Sequence, residues 1–158
     1  MCTGEVLRTL QISGRSDLSG GPILMTRLLQ GLSEHGFEHL VVCPDRPEGV
    51  NVILAKTSNV RLLNLPLREI CLRNYTTLLK VAKQFRPNLI HSHGKAAGLY
   101  GRALGKCLGI PVVHHYHGGS CRQIGEAGVV LVYYDPFELT TFQQEYGDDP
   151  VSHQSFAE

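Results

Sequence analysis

Short apolar runs alternate with helix-length amphipathic segments along the first 118 residues, and this alternation constrains the fold more than any other feature. The apolar runs are too short for core helices, and glycine and proline punctuate the segments between them. Such an alternation is typical of βαβ units with parallel strands. The sequence therefore predicts an α/β fold, a Rossmann-like parallel sheet flanked by helices, with buried strands at 6–12, 39–43, 88–92 and 112–117.

The predicted helices have recognisable ends. Pro22 is expected as a first helical residue, because its missing N–H has no partner at that position. Leucines follow at helical spacing until Gly36, a natural C-terminal cap. A second helix is predicted before Pro87, with one face formed by residues between 72 and 85, and a third at 96–108 ending at Gly109. Residues 51–55 and 59–65 are weaker strand candidates.

Cysteine usage and hydropathy bear on the compartment. The five cysteines are an odd number without C-x-x-C spacing, which favours reduced thiols over a disulfide framework or a zinc ribbon. No signal peptide is visible, and the longest apolar stretch, at 129–134, is far shorter than a membrane span. We therefore expect a cytoplasmic protein.

Charge is divided unevenly along the chain. Residues 1–118 hold 14 Lys/Arg and 7 Asp/Glu, whereas residues 119–158 hold 1 and 7. This shift predicts a domain at 1–118 followed by an atypical acidic segment at 119–158 that is partly disordered. Within that segment, 129–134 is a candidate strand and 136–144 a candidate short helix.

A glycine pair follows the first predicted strand. Gly20 and Gly21 let the backbone approach a ligand closely, and the helix predicted to start at Pro22 directs its N–H groups and positive dipole end the same way. This combination suits a phosphate, although the loop has neither the P-loop ending nor the G-x-G-x-x-G pattern. A tight turn without a ligand is the alternative.

Histidines concentrate at the ends of two predicted strands, where His91 and His93 should point the same way, as should His115 and His117. His114 is expected to face away and pack. No Asp or Glu lies in either cluster, so anion binding, hydrogen bonding or general acid/base work on a polar substrate is favoured over a metal site. A purely structural role is the competing interpretation for each histidine.

Basic residues surround the middle helix, and we interpret them as a solvated helix face rather than a nucleic-acid site, because no aromatic residues interleave with them. A weak peripheral attraction to an anionic membrane surface stays open. These residues are Arg61, Arg68, Arg73, Lys80, Lys83 and Arg86.

Several motifs, in this order and spacing, resemble the N-terminal domain of family 4 glycosyltransferases, the large retaining group with the GT-B fold. The resemblance covers about three quarters of the chain. The matching stretches are the first strand at 6–12, the DLSGG at 17–21, the EHGFEH at 34–39, the RPNLIHSHG at 86–94, the AGLYGR at 97–102 and the GIPVVHHYHG at 109–118.

The resemblance implies transfer of a sugar from a nucleotide-sugar donor to an acceptor with retention, without a metal or other cofactor. By the same resemblance, Gly20 and Gly21 approach the donor diphosphate, and His117 is the catalytic histidine that hydrogen-bonds the transferred sugar. His93, Gly94 and Gly118 are the implied substrate-binding residues. The acceptor is a glycan, a lipid or a small molecule.

The family also has a second Rossmann-like domain that binds the nucleotide and carries a Glu-x7-Glu motif, for which the 40 residues after Gly118 leave no room. We therefore expect an incomplete GT-B N-terminal domain that is inactive alone. Two alternatives stay open: a non-catalytic module that binds an acceptor or docks onto a separate donor-domain chain, and an unrelated Rossmann-like small-molecule protein.

Overall fold

The structure, a computed structural model, describes residues 6–115 and the backbone of 131–134. In these ranges strands and helices alternate up to the fifth strand. The strands are β1 (Arg8–Ser13), β2 (Glu38–Cys43), β3 (Val60–Asn64), β4 (Leu89–His93), β5 (Val112–His115) and β6 (Leu131–Tyr134), and the helices are α1 (Gly20–Glu34), α2 (Asn51–Leu54), α3 (Leu72–Phe85) and α4 (Lys95–Leu108).

The strands form one sheet in the order β3-β2-β1-β4-β5-β6. β1 to β5 pair in parallel, whereas β6 pairs antiparallel with β5. The predicted Rossmann-like parallel sheet flanked by helices is therefore confirmed. Residues 131–134 add a strand to this sheet from beyond residue 118; the domain division at 118 stays a prediction, and the helix expected at 136–144 lies outside the described residues.

One face of the sheet, which we call the α3/α4 face, carries the larger apolar core. Alternate residues of the strands project from it and pack against α3 and α4. Each fully buried aliphatic side chain of this kind stabilises the fold by about 1.5–3 kcal/mol. The strand residues are Leu10, Ile12, Leu40, Val42, Ile90 and Val112, and the helix residues include Leu78, Ala82, Phe85, Ala97, Tyr100 and Leu104.

Helix α4 approaches this face closely because it presents glycines to it. A Cβ atom on Gly98 would lie 2.5 Å from Cε1 of His114, and one on Gly101 would lie 2.9 Å from Cβ of Ser92. Ordinary side chains at these helix positions therefore do not fit without displacing the strands. Close packing against the sheet thus explains the two glycines of the AGLYGR stretch at 97–102, which also resembles the family motif.

The opposite face, which we call the α1/α2 face, is apolar over β2 and over β3, whose Val60 and Leu62 pack against the same cluster. Val41 and Cys43 pack there against Met25 and Leu29 of α1 and against Leu54 of α2. Over β1, β4 and β5 the same face carries buried polar side chains instead. These are Thr9, Gln11, His91, His93 and His115, with His39 of β2 beside them.

The predicted caps are confirmed, because Gly36 follows α1 with φ of 82° and Gly109 ends α4 with φ of 66°. The strand predicted at 51–55 is wrong, since residues Asn51–Leu54 form the single turn α2. A helical turn buries both Val50 and Leu54, which lie four residues apart.

The described cysteines are free thiols: Cys43 is buried, whereas Cys71 and Cys107 are exposed. Burial raises the pKa of the Cys43 thiol to about 11. Among the described residues, none of the helices combines the length and the apolar character that crossing a bilayer requires.

Candidate functional site

The strand order places a crevice between β1 and β4. Successive connections run outward from β1 in one direction to β2 and β3, and in the other direction from β4 to β5. In open α/β sheets, ligands bind outside the carboxyl ends of the strands at this reversal. Ser13 and His93 are register partners at these two strand ends, so the β1–α1 and β4–α4 connections leave the sheet side by side.

Gly20 and Gly21 lie in the first turn of α1, not in a loop before it. The helix begins at Gly20 with Ser19 as its N-cap, and the first helical hydrogen bond runs from the Ile23 N–H to the Ser19 carbonyl oxygen. The N–H groups of Gly20 and Gly21 therefore have no intrahelical acceptor. Pro22 is the third helical residue rather than the first, which is tolerated because a third-position N–H also has no helical partner.

An ion pair shapes the loop that leads to this helix. Nε of Arg15 donates to Oδ1 of Asp17 at 2.9 Å, and NH2 of Arg15 donates to Oδ2 at 2.7 Å. The hydrogen bond from Arg15 is the main reason that the pKa of Asp17 falls to about 2. The backbone N–H of Ser19 donates to the Asp17 carbonyl oxygen at 2.8 Å. Asp17 therefore links the loop to the start of α1.

The same loop is anchored to the next connection in the sheet. Ser16 is buried, and its carbonyl oxygen accepts a hydrogen bond from the Val50 N–H at 2.8 Å. A Cβ atom on Gly49 would collide with that carbonyl oxygen. The position of the loop is thus fixed by backbone contacts, which suits a site whose own donors are backbone N–H groups.

The β4–α4 connection is a single residue, Gly94. Its φ of 84° and ψ of 172° lie in a region that glycine adopts and other residues do not. Its N–H donates to the His115 carbonyl oxygen at 3.0 Å, and its own carbonyl oxygen accepts the first helical hydrogen bond from Gly98. Gly94 therefore ties the start of α4 to the ends of both β4 and β5.

Three histidines gather at these strand ends on the α1/α2 face. The ring centroids of His91 and His93 lie 4.1 Å apart, and the His115 centroid lies 6.1 Å and 5.9 Å from them. The prediction that His91 and His93 share a face is confirmed. Burial lowers the pKa of His115, which favours its neutral form.

A chain of hydrogen bonds links this group to the centre of the sheet. Nε2 of His93 lies 3.1 Å from Oε1 of Gln11, and Nε2 of Gln11 donates to Oγ1 of Thr9 at 3.0 Å. Oγ1 of Thr9 lies 2.7 Å from Nδ1 of His39. Because an amide oxygen only accepts, His93 donates from Nε2 in this arrangement. Burial lowers the pKa of His39 as well.

His114 projects from the other face, as predicted. It is buried against Gly98, and its Nδ1 lies 3.0 Å from Oγ of Ser92. Burial is the main reason that its pKa is lowered, with a smaller effect of the nearby Arg102 charge. In this structure His114 packs against α4 and forms hydrogen bonds with Ser92 of the neighbouring strand β4.

The structure thus brings Gly20, Gly21, His93 and Gly94 to one edge of the sheet, on two adjacent connections. His117 and Gly118, the other predicted site residues, lie outside the described residues. Sequence reasoning missed Gln11, whose side chain orients His93. The available signal was an amide side chain between Leu10 and Ile12 in a strand predicted to be buried, since a buried amide needs hydrogen-bond partners.

A family comparison matches residues 18–140 to Glycosyltransferase Family 4. The matched stretch covers most of the chain, including the start of α1 and the β4–α4 connection. No curated protein sequence matches the chain.

Among solved structures, a glycosyltransferase from Rickettsia africae ESF-5 is similar, with a TM-score of 0.61 and 15% identity over 92% of this chain and 35% of that one. MurG from Acinetobacter baumannii gives a TM-score of 0.54 with 15% identity over 72% of this chain and 36% of that one. MnaA from S. aureus, solved with UDP, gives 0.51 with 19% identity over 72% of this chain and 31% of that one. The chain therefore spans about a third of the length of these structures, and they share its fold.

Proposed function

The chain belongs to glycosyltransferase family 4, and from this membership we propose that it forms the acceptor-side half of a site that moves a sugar from a nucleotide-sugar donor to an acceptor, with retention of the anomeric configuration. The observation that carries the proposal is the meeting of two ligand-binding elements at the strand reversal. These elements are the start of α1, after β1, and the His93-Gly94 turn, after β4.

The start of α1 fits the donor diphosphate. Gly20 and Gly21 offer adjacent backbone N–H groups at the positive end of a 15-residue helix. Hydrogen bonds from these N–H groups and the helix dipole both stabilise a bound anion. A Cβ atom on Gly20 would meet no atom within 4 Å, so a ligand has room beside the backbone there. MnaA, which has a similar fold, was solved with UDP, a molecule that carries a diphosphate.

The β4 end fits the sugar side of the reaction. Gln11 fixes the ring of His93, which we assign to a hydroxyl group of the substrate, and Gly94 leaves no side chain over the start of α4. His117, two residues beyond β5, is proposed as the residue that hydrogen-bonds the transferred sugar, by its likeness to the family histidine. Such groups accelerate transfer when they bind the developing charge more tightly than the ground state.

The described residues supply positioning groups and backbone donors at one side of the crevice. The remaining contacts to the nucleotide are proposed to come from a donor-binding domain, so that this chain alone holds the donor weakly. The acceptor is proposed to be a glycan, a lipid or a small molecule, and a peripheral membrane contact stays a prediction. Cytoplasmic location likewise stays a prediction.

An NMR titration tests the proposed site. The ¹⁵N-labelled chain is titrated with UDP-glucose, UDP, pyrophosphate and NAD⁺. The amide signals of Gly20, Gly21 and Gly94 are expected to shift with the first three ligands, which are diphosphates but not dinucleotides. Gly36 and Gly109 are the matched controls, because they lie at the opposite ends of α1 and α4. Shifts confined to the control glycines, or none at millimolar ligand, would contradict the site.

Turnover distinguishes the proposal from its alternatives. The purified chain is incubated with a panel of nucleotide-sugars and acceptors, and free nucleotide is measured. Little or no release is expected for the chain alone; rapid release would overturn the half-site interpretation. If the chain binds a glycan but no nucleotide is released, even when a donor-domain chain is added, the result supports the non-catalytic module.

A further inference from the structure

Three histidine side chains on the α1/α2 face come close enough to share a ligand. One ring nitrogen from each of His91, His93 and His115 lies within 4.8 Å of the other two. The three residues are exposed by 8%, 5% and 9%, so the group is nearly closed to bulk water. Two of them come from β4 and the third from β5, and a paired sheet fixes the distances between their backbones.

The spacing is close to what a metal ion requires. In a tetrahedral zinc site with Zn–N bonds near 2.1 Å, the ligand nitrogens lie about 3.4 Å from one another. From an upper limit of 4.8 Å, each nitrogen reaches such a position by a movement of under about 1 Å, which a small ring rotation provides. The backbone can therefore stay in place when the ion binds.

One hydrogen bond of the cluster also suits metal ligation, which requires an imidazole with a lone pair on one ring nitrogen. The Gln11 oxygen holds the proton of His93 on Nε2, and the lone pair is then on Nδ1. An acceptor that orients the second nitrogen of a histidine is the usual outer partner of a metal-binding histidine.

We propose that His91, His93 and His115 bind one Zn²⁺ ion, with a fourth position open to water or to an oxygen atom of a bound molecule. Three imidazoles without a carboxylate favour a borderline cation such as zinc over Mg²⁺ or Ca²⁺, which prefer oxygen ligands. The sequence argued against a metal because no Asp or Glu lies in either histidine cluster and a His-x-His pattern alone is a weak sign of ligation. The structure adds the third nitrogen from the adjacent strand.

The zinc site shares His93 with the sugar side of the proposed transfer, so the test measures zinc binding rather than activity, and its failure leaves the proposed transfer untouched. The full chain, with Cys2, Cys71, Cys107 and Cys121 changed to serine to remove competing thiols, is titrated with Zn²⁺ by calorimetry. One ion per chain is expected. His91→Gln and His115→Gln should each weaken binding by more than the roughly 10–100-fold loss that follows removal of an outer partner.

The matched control is His35→Gln, because His35 is exposed at the end of α1 and its Nδ1 contacts only its own helix, at the Gly31 carbonyl oxygen. Equal zinc affinity in the parent and in His91→Gln would overturn the site, as would no zinc binding by a folded parent chain. Circular dichroism checks that each variant folds.

A second measurement needs no substitution in the cluster. Long-range ¹H–¹⁵N spectra report the ring nitrogens of all eight histidines in the presence and absence of Zn²⁺. The site predicts that the ring nitrogens of His91, His93 and His115 shift together at one equivalent, and that Mg²⁺ leaves them unchanged. Shifts confined to other histidines would overturn it.

Discussion

The two faces of the sheet are built from the same strands but hold different chemistry. On the α3/α4 face, alternate strand residues such as Leu10 and Ile90 form a continuous apolar core with two long helices. On the α1/α2 face, the neighbouring residues Gln11 and His91 belong to a buried polar network. Stability and chemistry are thus separated by the two-residue period of the strands.

The difference teaches that adjacent residues of one strand can carry unlike roles without conflict. An apolar contact adds stability in proportion to the area it buries, whereas a buried polar network mainly fixes geometry, because its net energy is small unless a partner is lost. Accordingly, the α3/α4 face is expected to dominate the free energy of unfolding.

Truncating neighbouring residues of β1 tests this comparison most strongly. Leu10→Ala, on the apolar face, is expected to lower the free energy of unfolding by about 2–5 kcal/mol, because it leaves a cavity at a fully buried position. Gln11→Ala is expected to cost about 1–3 kcal/mol, because Thr9 and His93 each lose a hydrogen-bond partner. Urea unfolding of both variants measures the difference, and equal costs would break the comparison.

Helix packing on the α3/α4 face gives the next largest effect. Gly98→Ala places a methyl group against the buried His114 ring, at a cost of about 1–3 kcal/mol that exceeds the gain in helix propensity of up to about 1 kcal/mol. The matched control is Gly31→Ala in α1, where a Cβ atom meets nothing within 4 Å and only the propensity gain remains. Thermal unfolding should therefore move in opposite directions, and a stabilised Gly98→Ala would show that α4 packs loosely.

The pH dependence of stability is expected to give the smallest effect and to report the α1/α2 face. Burial lowers the pKa of His39 below its ordinary value of 6.5. His39 therefore binds a proton more readily in the unfolded chain than in the folded one. The contribution of His39 to stability is complete above pH 6.5 and is lost as the pH falls through the folded-state pKa. The slope for one group stays under about 1.4 kcal/mol per pH unit.

His39→Gln should therefore flatten the stability profile below pH 6.5, measured by urea unfolding at several pH values. Slopes rather than absolute stabilities are compared, because the substitution also alters the contact with Thr9. An unchanged slope would indicate that His39 exchanges protons as readily in the folded chain as in the unfolded one.

Much of the fold could be predicted from local sequence. Gly36 and Gly109 occupy helix ends because the backbone needs a positive φ there, and such a need is visible in the residue type. Asn51–Leu54 was misread as a strand because one helical turn is too short to show a period, and Val52 and Ile53 favour strands by themselves.

The candidate site could be predicted only in part. The glycine pair and the His-x-His pattern are local and were found from the sequence. The meeting of His115 with His91 and His93 depends on the register of β4 against β5, which residues 20 or more positions apart determine together. The start of α1 at Gly20 rather than Pro22 depends on the loop contacts of Asp17 and Ser16, which have no local signature.

The central position of β1 has a consequence for the order in which the chain is made. β1 is synthesised first, and β2 can cover one of its edges about 30 residues later, but the other edge pairs with β4, whose register partners lie about 80 residues away. At a synthesis rate of about 5–20 residues per second, that edge of β1 stays unpaired for several seconds on the ribosome. During this interval the unpaired N–H and C=O groups of β1 are open to wrong pairing, so β1 is where chaperone binding or aggregation of the nascent chain should concentrate.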